Sequence, residues 1–263
     1  MGMLKRRLAY LAIGLVALQS CGRKTADLPD APPPSHVLWD TLLTRHVSAR
    51  GMVDYHGIIT DSSTLNLYLE ELSGHPPNSK WGHQEQLAYW VNAYNAFTIK
   101  LIVDHYPVKS IRDLHPTLYV PLVNTVWHIK FFKIGGVDFN LDEIEHGILR
   151  KTFDEPRIHF AIVCASHSCP PLRNEAYLPH KIDAQLDDQA KIFINDTARN
   201  KLAPDRIEIS QIFNWFKGDF TKKSTLIEFL NRYAAVPVQS NASIHYLDYD
   251  WNLNEDVDSK PGG

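Results

Sequence analysis

Cys164 and Cys169 stand five residues apart and bracket His167 in the run Cys164-Ala165-Ser166-His167-Ser168-Cys169-Pro170-Pro171. The thiolate is the reactive form of cysteine, and a nearby imidazole can generate it. Pro170 suits a first helical position, which would put Cys169 at an N-cap. Amide N–H groups and the helix dipole there favour a thiolate. On this reading Cys169 is the nucleophile, and His146, His159 and His167 are the candidate bases. Three rival readings stay open. The pair could close a small-loop disulfide, or Cys164 could be core. Alternatively Cys164, His167 and Cys169 could bind zinc with His146 or His159, in a spacing that matches no standard zinc signature.

Glu145 and Arg150 join the candidates from the segment Asp142 to Arg150. With Leu141 at 0° on a wheel of about 100° per residue, Ile144 falls near ~300°, Ile148 near ~340° and Leu149 near ~80°. Glu145 falls near ~40°, inside the apolar arc, while His146 lies at its border near ~140° and Arg150 opposite near ~180°. A carboxylate aimed into an apolar face needs a partner. Glu145 therefore either pairs structurally, or orients an imidazole, or has a raised pKa for acid–base work.

These residues need elements to position them. Residues 83–104 predict a helix buried on most sides, with Leu87, Trp90, Val91, Tyr94, Phe97, Leu101 and Ile102 on one face. Asn92 and Asn95 share another face, three residues apart. They read either as core amides serving backbone groups or as substrate and oxyanion contacts. Val37 to Val47 predicts a first helix, and Ser62 or Ser63 opens a second with Leu65, Tyr68, Leu69 and Leu72. Val126 to Ile134 alternates like a strand, Gly135-Gly136 turns, and Asn140 with Glu143 caps a helix over 141–150. Ile158 to Cys164 reads as a buried strand with His159 and Cys164 on opposite faces. Helices are expected at 180–195, 212–216 and 226–233, and strands at 206–210 and 244–247. Trp39, Trp81, Trp90, Trp215 and Trp251 read as core. Helices outweigh strands without strict alternation, which predicts one α+β domain, mainly helical, around a small β-sheet.

The N-terminus reads as an address. Lys5, Arg6 and Arg7 precede the apolar run Leu8 to Leu18, which is too short to span a bilayer. Leu18-Gln19-Ser20-Cys21 then resembles the lipobox of bacterial lipoproteins, although Gln19 stands where a small residue is usual. The expected organisation is a signal peptide at 1–20, a Pro-rich tether at 21–38, one globular domain at 39–254 and a flexible tail at 255–263. Cys21 would carry the lipid and anchor the protein in the bacterial cell envelope, facing the periplasm or the surface.

The 263 residues carry 27 Lys+Arg against 30 Asp+Glu, which argues against a dedicated nucleic-acid binder. With 44% hydrophobic residues and only 3 cysteines, neither wholesale disorder nor a disulfide scaffold is expected. No cofactor is expected.

Several of these segments together resemble the domain of unknown function 547 family. They are Leu87-Ala88-Tyr89-Trp90-Val91-Asn92-Ala93-Tyr94-Asn95-Ala96, Ile134-Gly135-Gly136, Asp142 to Arg150, Arg157-Ile158-His159-Phe160-Ala161 and Cys164 to Leu172. Gly51-Met52-Val53-Asp54-Tyr55 and Asp248-Tyr249-Asp250-Trp251 are also similar to it. The resemblance implies that Glu145, His146, His159, Cys164 and Cys169 belong to the family's pattern. It also implies members inside plant cells, where a structural disulfide is less expected, which strengthens the thiol reading. Papain-like and transglutaminase-like folds share the Cys–His chemistry, but their Cys opens the long buried helix. Here that helix carries Asn92 and Asn95 and no Cys.

The resulting expectation is a lipid-anchored thiol hydrolase or acyl transferase acting on an amide or ester of a small molecule or peptide. Cys169 would attack, His146 or His159 would be the base, and Glu145 the orienter. Asn92, Asn95, Arg150 and His167 would contact substrate. The alternatives are a non-catalytic binding or assembly module and a His/Cys metal protein.

Overall fold

Helix α4 (His83–His105) is the axis on which the other elements pack. Every residue from Leu87 to Ile99 along it is buried, because Ala88, Ala93 and Ala96 let neighbours approach on the faces that the large side chains leave. Its start is held by Glu85, whose carboxylate accepts from the Gly82 N–H at 2.6 Å. A computed structural model describes residues 31–118, 120 and 124–256. The expected signal peptide, Cys21, most of the tether and nearly all of the tail lie outside the described residues.

Helices α1 (Val37–His46) and α3 (Ser62–Gly74) pack together, with α3 against α4. The periodic residues Leu65, Tyr68, Leu69 and Leu72 form the buried face of α3, as their spacing predicts. Between α1 and α3 lies α2 (Tyr55–Thr60), too short to show a period. Asp54 starts it by accepting from the Gly57 N–H at 2.9 Å.

The strand expected over 126–134 is mostly not one. Val126–His128 winds into a 3-10 turn, with His128 Nδ1 accepting from the Thr125 N–H at 3.2 Å. That local bond competes with extension, so only Phe132–Ile134 forms strand β1. It pairs antiparallel with β2 (Val137–Phe139) across Gly135 and Gly136. Both glycines have left-handed φ, 58° and 75°, as a tight hairpin requires.

The capping box at Asn140 and Glu143 forms: Asn140 Oδ1 accepts from the Glu143 N–H at 2.7 Å, and Glu143 Oε2 from the Asn140 N–H at 3.2 Å. The helix behind it is not a plain α-helix. Glu143–Leu149 winds as a π-helix and tightens into α5 (Arg150–Thr152). The wheel at 100° per residue therefore does not apply there. Such wide turns recur at functional sites.

The buried strand expected over 158–164 is corrected too. Ile158–Ala161 is a single turn of helix, α6, and only then does the chain extend toward Cys164. The alternating residues are buried on all sides, so alternation carried no information about two faces. The turn starts where Pro156 and Glu155 carbonyls accept from His159 and Ile158, both at 3.3 Å. Two backbone groups that a strand would offer to a neighbour go to Asn95 instead. Its amide donates to Ala161 O and its carbonyl accepts from the Val163 N–H, each at 2.9 Å.

Helix α7 (Ile182–Ile194) packs on α6. Strands β3 (Lys201–Leu202), β4 (Arg206–Ile209) and β5 (Ser243–Tyr246) form a second sheet, in which β4 pairs antiparallel with β3 and parallel with β5. Helices α8 (Ile212–Trp215), α9 (Lys217–Phe220) and α10 (Leu226–Asn231) complete the region. Phe160, Phe193, Phe213, Phe220 and Phe229 fill a second core, distinct from the larger one around α4. Two small sheets among many helices make this an α+β fold.

Removing the Asn95 side chain would leave a buried carbonyl and a buried N–H unpaired, at about 1–3 kcal/mol each. Asn95→Ala is predicted to lower the unfolding free energy by about 2–4 kcal/mol in urea denaturation. A loss below about 1 kcal/mol would mean that water or a shifted loop takes over both bonds.

Candidate functional site

A cleft of about 1170 Å³ opens where the π-helix faces the cysteine loop. Trp251 centres an aromatic cluster in it, with Tyr249, Trp127 and Trp215 at ring distances of 4.6, 5.8 and 5.8 Å. The Arg112 guanidinium lies over the Trp251 ring at 5.2 Å. Trp39, Trp81 and Trp90 are core, as expected. Trp215 and Trp251 are not: both line the cleft, and Trp215 is 46% exposed.

The loop 164–169 is held from two directions. Arg199 donates to the carbonyls of Cys169 and His167, both at 2.7 Å. The C-terminal segment straps the other side, with Ser168 N–H donating to Asp250 O at 3.1 Å and Asn254 N–H to Ala165 O at 3.2 Å. Ala165 is fully buried with φ 57°, a left-handed conformation that a residue with a Cβ rarely adopts. No helix follows the loop. Pro170 and Pro171 continue extended, and α7 begins only at Ile182, so Cys169 is not at an N-cap.

The two sulfurs are in contact as free thiols, 3.2 Å apart, with the Cys164 S–H donating to Cys169 Sγ. Ser166 Oγ lies 3.1 Å from Cys164 Sγ and donates to Tyr249 Oη, also at 3.1 Å. That leaves the Tyr249 proton for Cys164 Sγ, 3.4 Å away. The Cys169 hydrogen bond, helped by Ser166 and Tyr249, lowers the Cys164 thiol to about 7 against the opposing effect of burial. Burial and the neighbouring Cys164 push Cys169 well up. Cys164 is half-buried at the cleft, whereas Cys169 is 3% exposed. The activated sulfur is thus Cys164, where the sequence pointed to Cys169.

Across the cleft, Glu145 accepts from the Tyr94 hydroxyl at 3.2 Å. Burial pushes its carboxyl up, and the neighbouring His146 and the Tyr94 bond offset part of that. It therefore orients a phenol rather than an imidazole. Arg150 donates from Nη1 to His146 Nδ1 at 2.7 Å and from Nε to Asp219 Oδ2 at 2.6 Å. A guanidinium only donates, so His146 Nδ1 is an acceptor and the ring proton sits on Nε2, 3.7 Å from Asp142 Oδ1. His159 Nε2 also meets Asp219 Oδ2, at 2.8 Å, and its ring stacks on Phe216 at 3.9 Å. Its Nδ1 is buried without a partner. His159 and Arg150 hold the Asp219 carboxyl well below the usual range. Neither His146 nor His159 is arranged as the base of a thiol.

Three expected substrate contacts are placed elsewhere. Asn92 spends its amide on Tyr177, donating to the carbonyl at 2.7 Å and accepting from the N–H at 3.0 Å. Asn95 is spent on Ala161 and Val163. His167 is turned to solvent beside Asp250, 3.6 Å away. Of the substrate contacts expected, Arg150 lines the cleft. Among the described residues no group of three or more His, Cys, Asp or Glu is placed to hold a metal ion.

Residues 78–194 match the family described as "Protein of unknown function, DUF547". That segment, 78–194, is similar to the DUF547 family. No curated protein and no solved structure matches the chain. The matched segment includes α4, the hairpin, the π-helix, both cysteines and α7. Beyond the DUF547 match lie Trp215, Tyr249 and Trp251, which complete the cleft, and Asp219, which holds Arg150 and His159 in its wall. Sequence reasoning passed over Asp219, Tyr249, Ser166 and Arg199 as site residues. Two of them carried a signal: Tyr249 beside Trp251 in the family-like closing run, and Ser166 within the family-like run Cys164 to Leu172.

Burial holds His159 down at about 4, against Asp219, which pulls it up, and holds His36 down at about 4. Between about pH 6.5, the unfolded value, and pH 4 the unfolded chain binds protons that the folded chain does not. Stability is predicted to fall as pH drops through that window. The fall should be shallower in His159→Gln, which keeps only the His36 contribution. Urea midpoints at pH 7 and pH 5 check this; equal slopes in both proteins would show that His159 is protonated without cost.

Proposed function

We propose that this protein is a lipid-anchored envelope enzyme that uses Cys164 as the nucleophile of a hydrolase or acyl transferase acting on an amide or ester. The observation that carries the reading is the Cys164 sulfur, open to a large cleft and contacted by Cys169, Ser166 and Tyr249. Those contacts stabilise a thiolate, so attack needs no histidine base.

The Cys164 thiolate attacks the carbonyl carbon of the bound ester or amide. Glu145, whose carboxyl is raised by burial, gives its proton to the departing alcohol or amine, leaving a thioester on Cys164. Water then adds to the thioester and yields its proton to the Glu145 carboxylate, which releases the acid and restores the thiolate. An acceptor alcohol or amine in place of water makes the same site a transferase. Arg150 and His146 give this wall of the cleft a fixed cationic group, and the rings around Trp251 offer flat surface to the non-reacting part of the substrate.

The envelope location rests on the N-terminal order of basic residues, a short apolar run and Cys21. No helix among the described residues is long and apolar enough to cross a membrane.

Alkylation followed against pH, with mass spectrometry to assign each label, tests the nucleophile. Half-maximal labelling of Cys164 is expected near pH 7, with Tyr249→Phe moving it upward and Cys169 silent throughout. Against a panel of activated esters and dipeptide anilides, Cys164→Ser should abolish turnover. Glu145→Gln should slow it by about 100-fold. A Cys164 that labels like a free thiol, at about 8.5, would sink the proposal.

A further inference from the structure

We propose that Cys164 and Cys169 form a reversible dithiol–disulfide pair, in which Cys164 exchanges with an external disulfide and Cys169 resolves the adduct. The inference rests on the reading of Cys164 as the accessible nucleophile, but not on acyl chemistry.

Four observations support it. The sulfurs touch at 3.2 Å with no atom between them, so a bond of about 2 Å needs only a small approach. The pair is asymmetric: both residues line the cleft, but Cys164 is half-buried whereas Cys169 is 3% exposed. An outside disulfide therefore meets one sulfur first. Cys169 Sγ also accepts from the Cys164 N–H at 3.0 Å, a bond that holds the resolving sulfur beside its target. Finally, the loop that joins them holds a left-handed, fully buried Ala165, and Arg199 and the C-terminal strap keep it folded that way.

The chemistry balances with a low-molecular-weight disulfide RSSR as the oxidant. The Cys164 thiolate attacks one sulfur of RSSR, forming a mixed disulfide and releasing RS⁻. The Cys169 thiol loses its proton to RS⁻, and its sulfur attacks Cys164 Sγ, releasing the second RS⁻. The protein is oxidised by two electrons, RSSR is reduced to two thiols, and the reverse reaction restores the dithiol. The bridge consumes the nucleophile, so acyl transfer belongs to the reduced form alone.

The full-length protein in detergent would be equilibrated with glutathione buffers of varied reduced-to-oxidised ratio, quenched in acid, alkylated and mapped by mass spectrometry. Both thiols are expected to disappear together into an internal bridge. Cys169→Ala should instead accumulate glutathione on Cys164, and Cys164→Ser should leave Cys169 unmodified. Cys169→Ser serves if the alanine variant does not melt cooperatively. Wild-type protein that accumulates a Cys164 adduct while Cys169 stays free would overturn the proposal, as would no loss of thiols in glutathione disulfide alone. The two readings fail separately. Rapid alkylation near pH 7 without exchange removes only the redox pair, and ester turnover that survives bridge formation removes only the acyl role of Cys164.

Discussion

The Asn95 side chain is the contact on which the rest of the site depends. It is 1% exposed, sits in the middle of α4, and joins Ala161 O to the Val163 N–H. Those two bonds end α6 and start the extended run into Cys164. A buried amide that satisfies two backbone groups is worth more than either bond alone, because losing it strands both. Through it, the long buried helix sets the position of Cys164. Asn92 does the same one turn earlier for Tyr177, on the segment that leads into α7.

A second link ties the two cores together. The Asp219 carboxylate, on α9, is shared by Arg150 at the end of the π-helix and by His159 on α6. Arg150 reaches on to His146, so one wall of the cleft is a continuous chain of charge-assisted bonds. Phe216 packs under it, stacked on His159 and beneath the Arg150 guanidinium at 5.1 Å. The histidines that looked like bases are thereby structural parts of the wall. Opposite them, the Cys164 sulfur is contacted by the Cys169 thiol and the Ser166 and Tyr249 hydroxyls and, among the described residues, by no imidazole.

Much of the frame was legible. The buried 83–104 helix, the α3 face, the Gly135-Gly136 hairpin, the capping box at Asn140 and the later helices all follow from periodicity, turn chemistry and caps. These are local preferences, and local order obeyed them. The misreadings came where burial is uniform or side chains bond the backbone. Ile158 to Val163 alternates in type but is buried throughout, so a period of two meant nothing there. Thr125 and His128 turned an apparent strand into a 3-10 turn. The π-helix spoiled the wheel, although Glu145 was rightly marked as a carboxylate near apolar surface.

The sequence by itself determined the α+β class, the long buried helix, the family of the 78–194 segment, and the small set of residue types from which a site could be made. Only the tertiary structure decided which members of that set act together. Cys164 and Cys169 differ by no local rule. They differ in their tertiary surroundings: Tyr249, some eighty positions on, meets Cys164 Sγ, and Arg199 holds the Cys169 carbonyl. Asp219 likewise captures both Arg150 and His159 from across the chain. Activation of a thiol and pairing of a carboxylate depend on distance in space and on exclusion of water, and neither is a function of spacing along the chain.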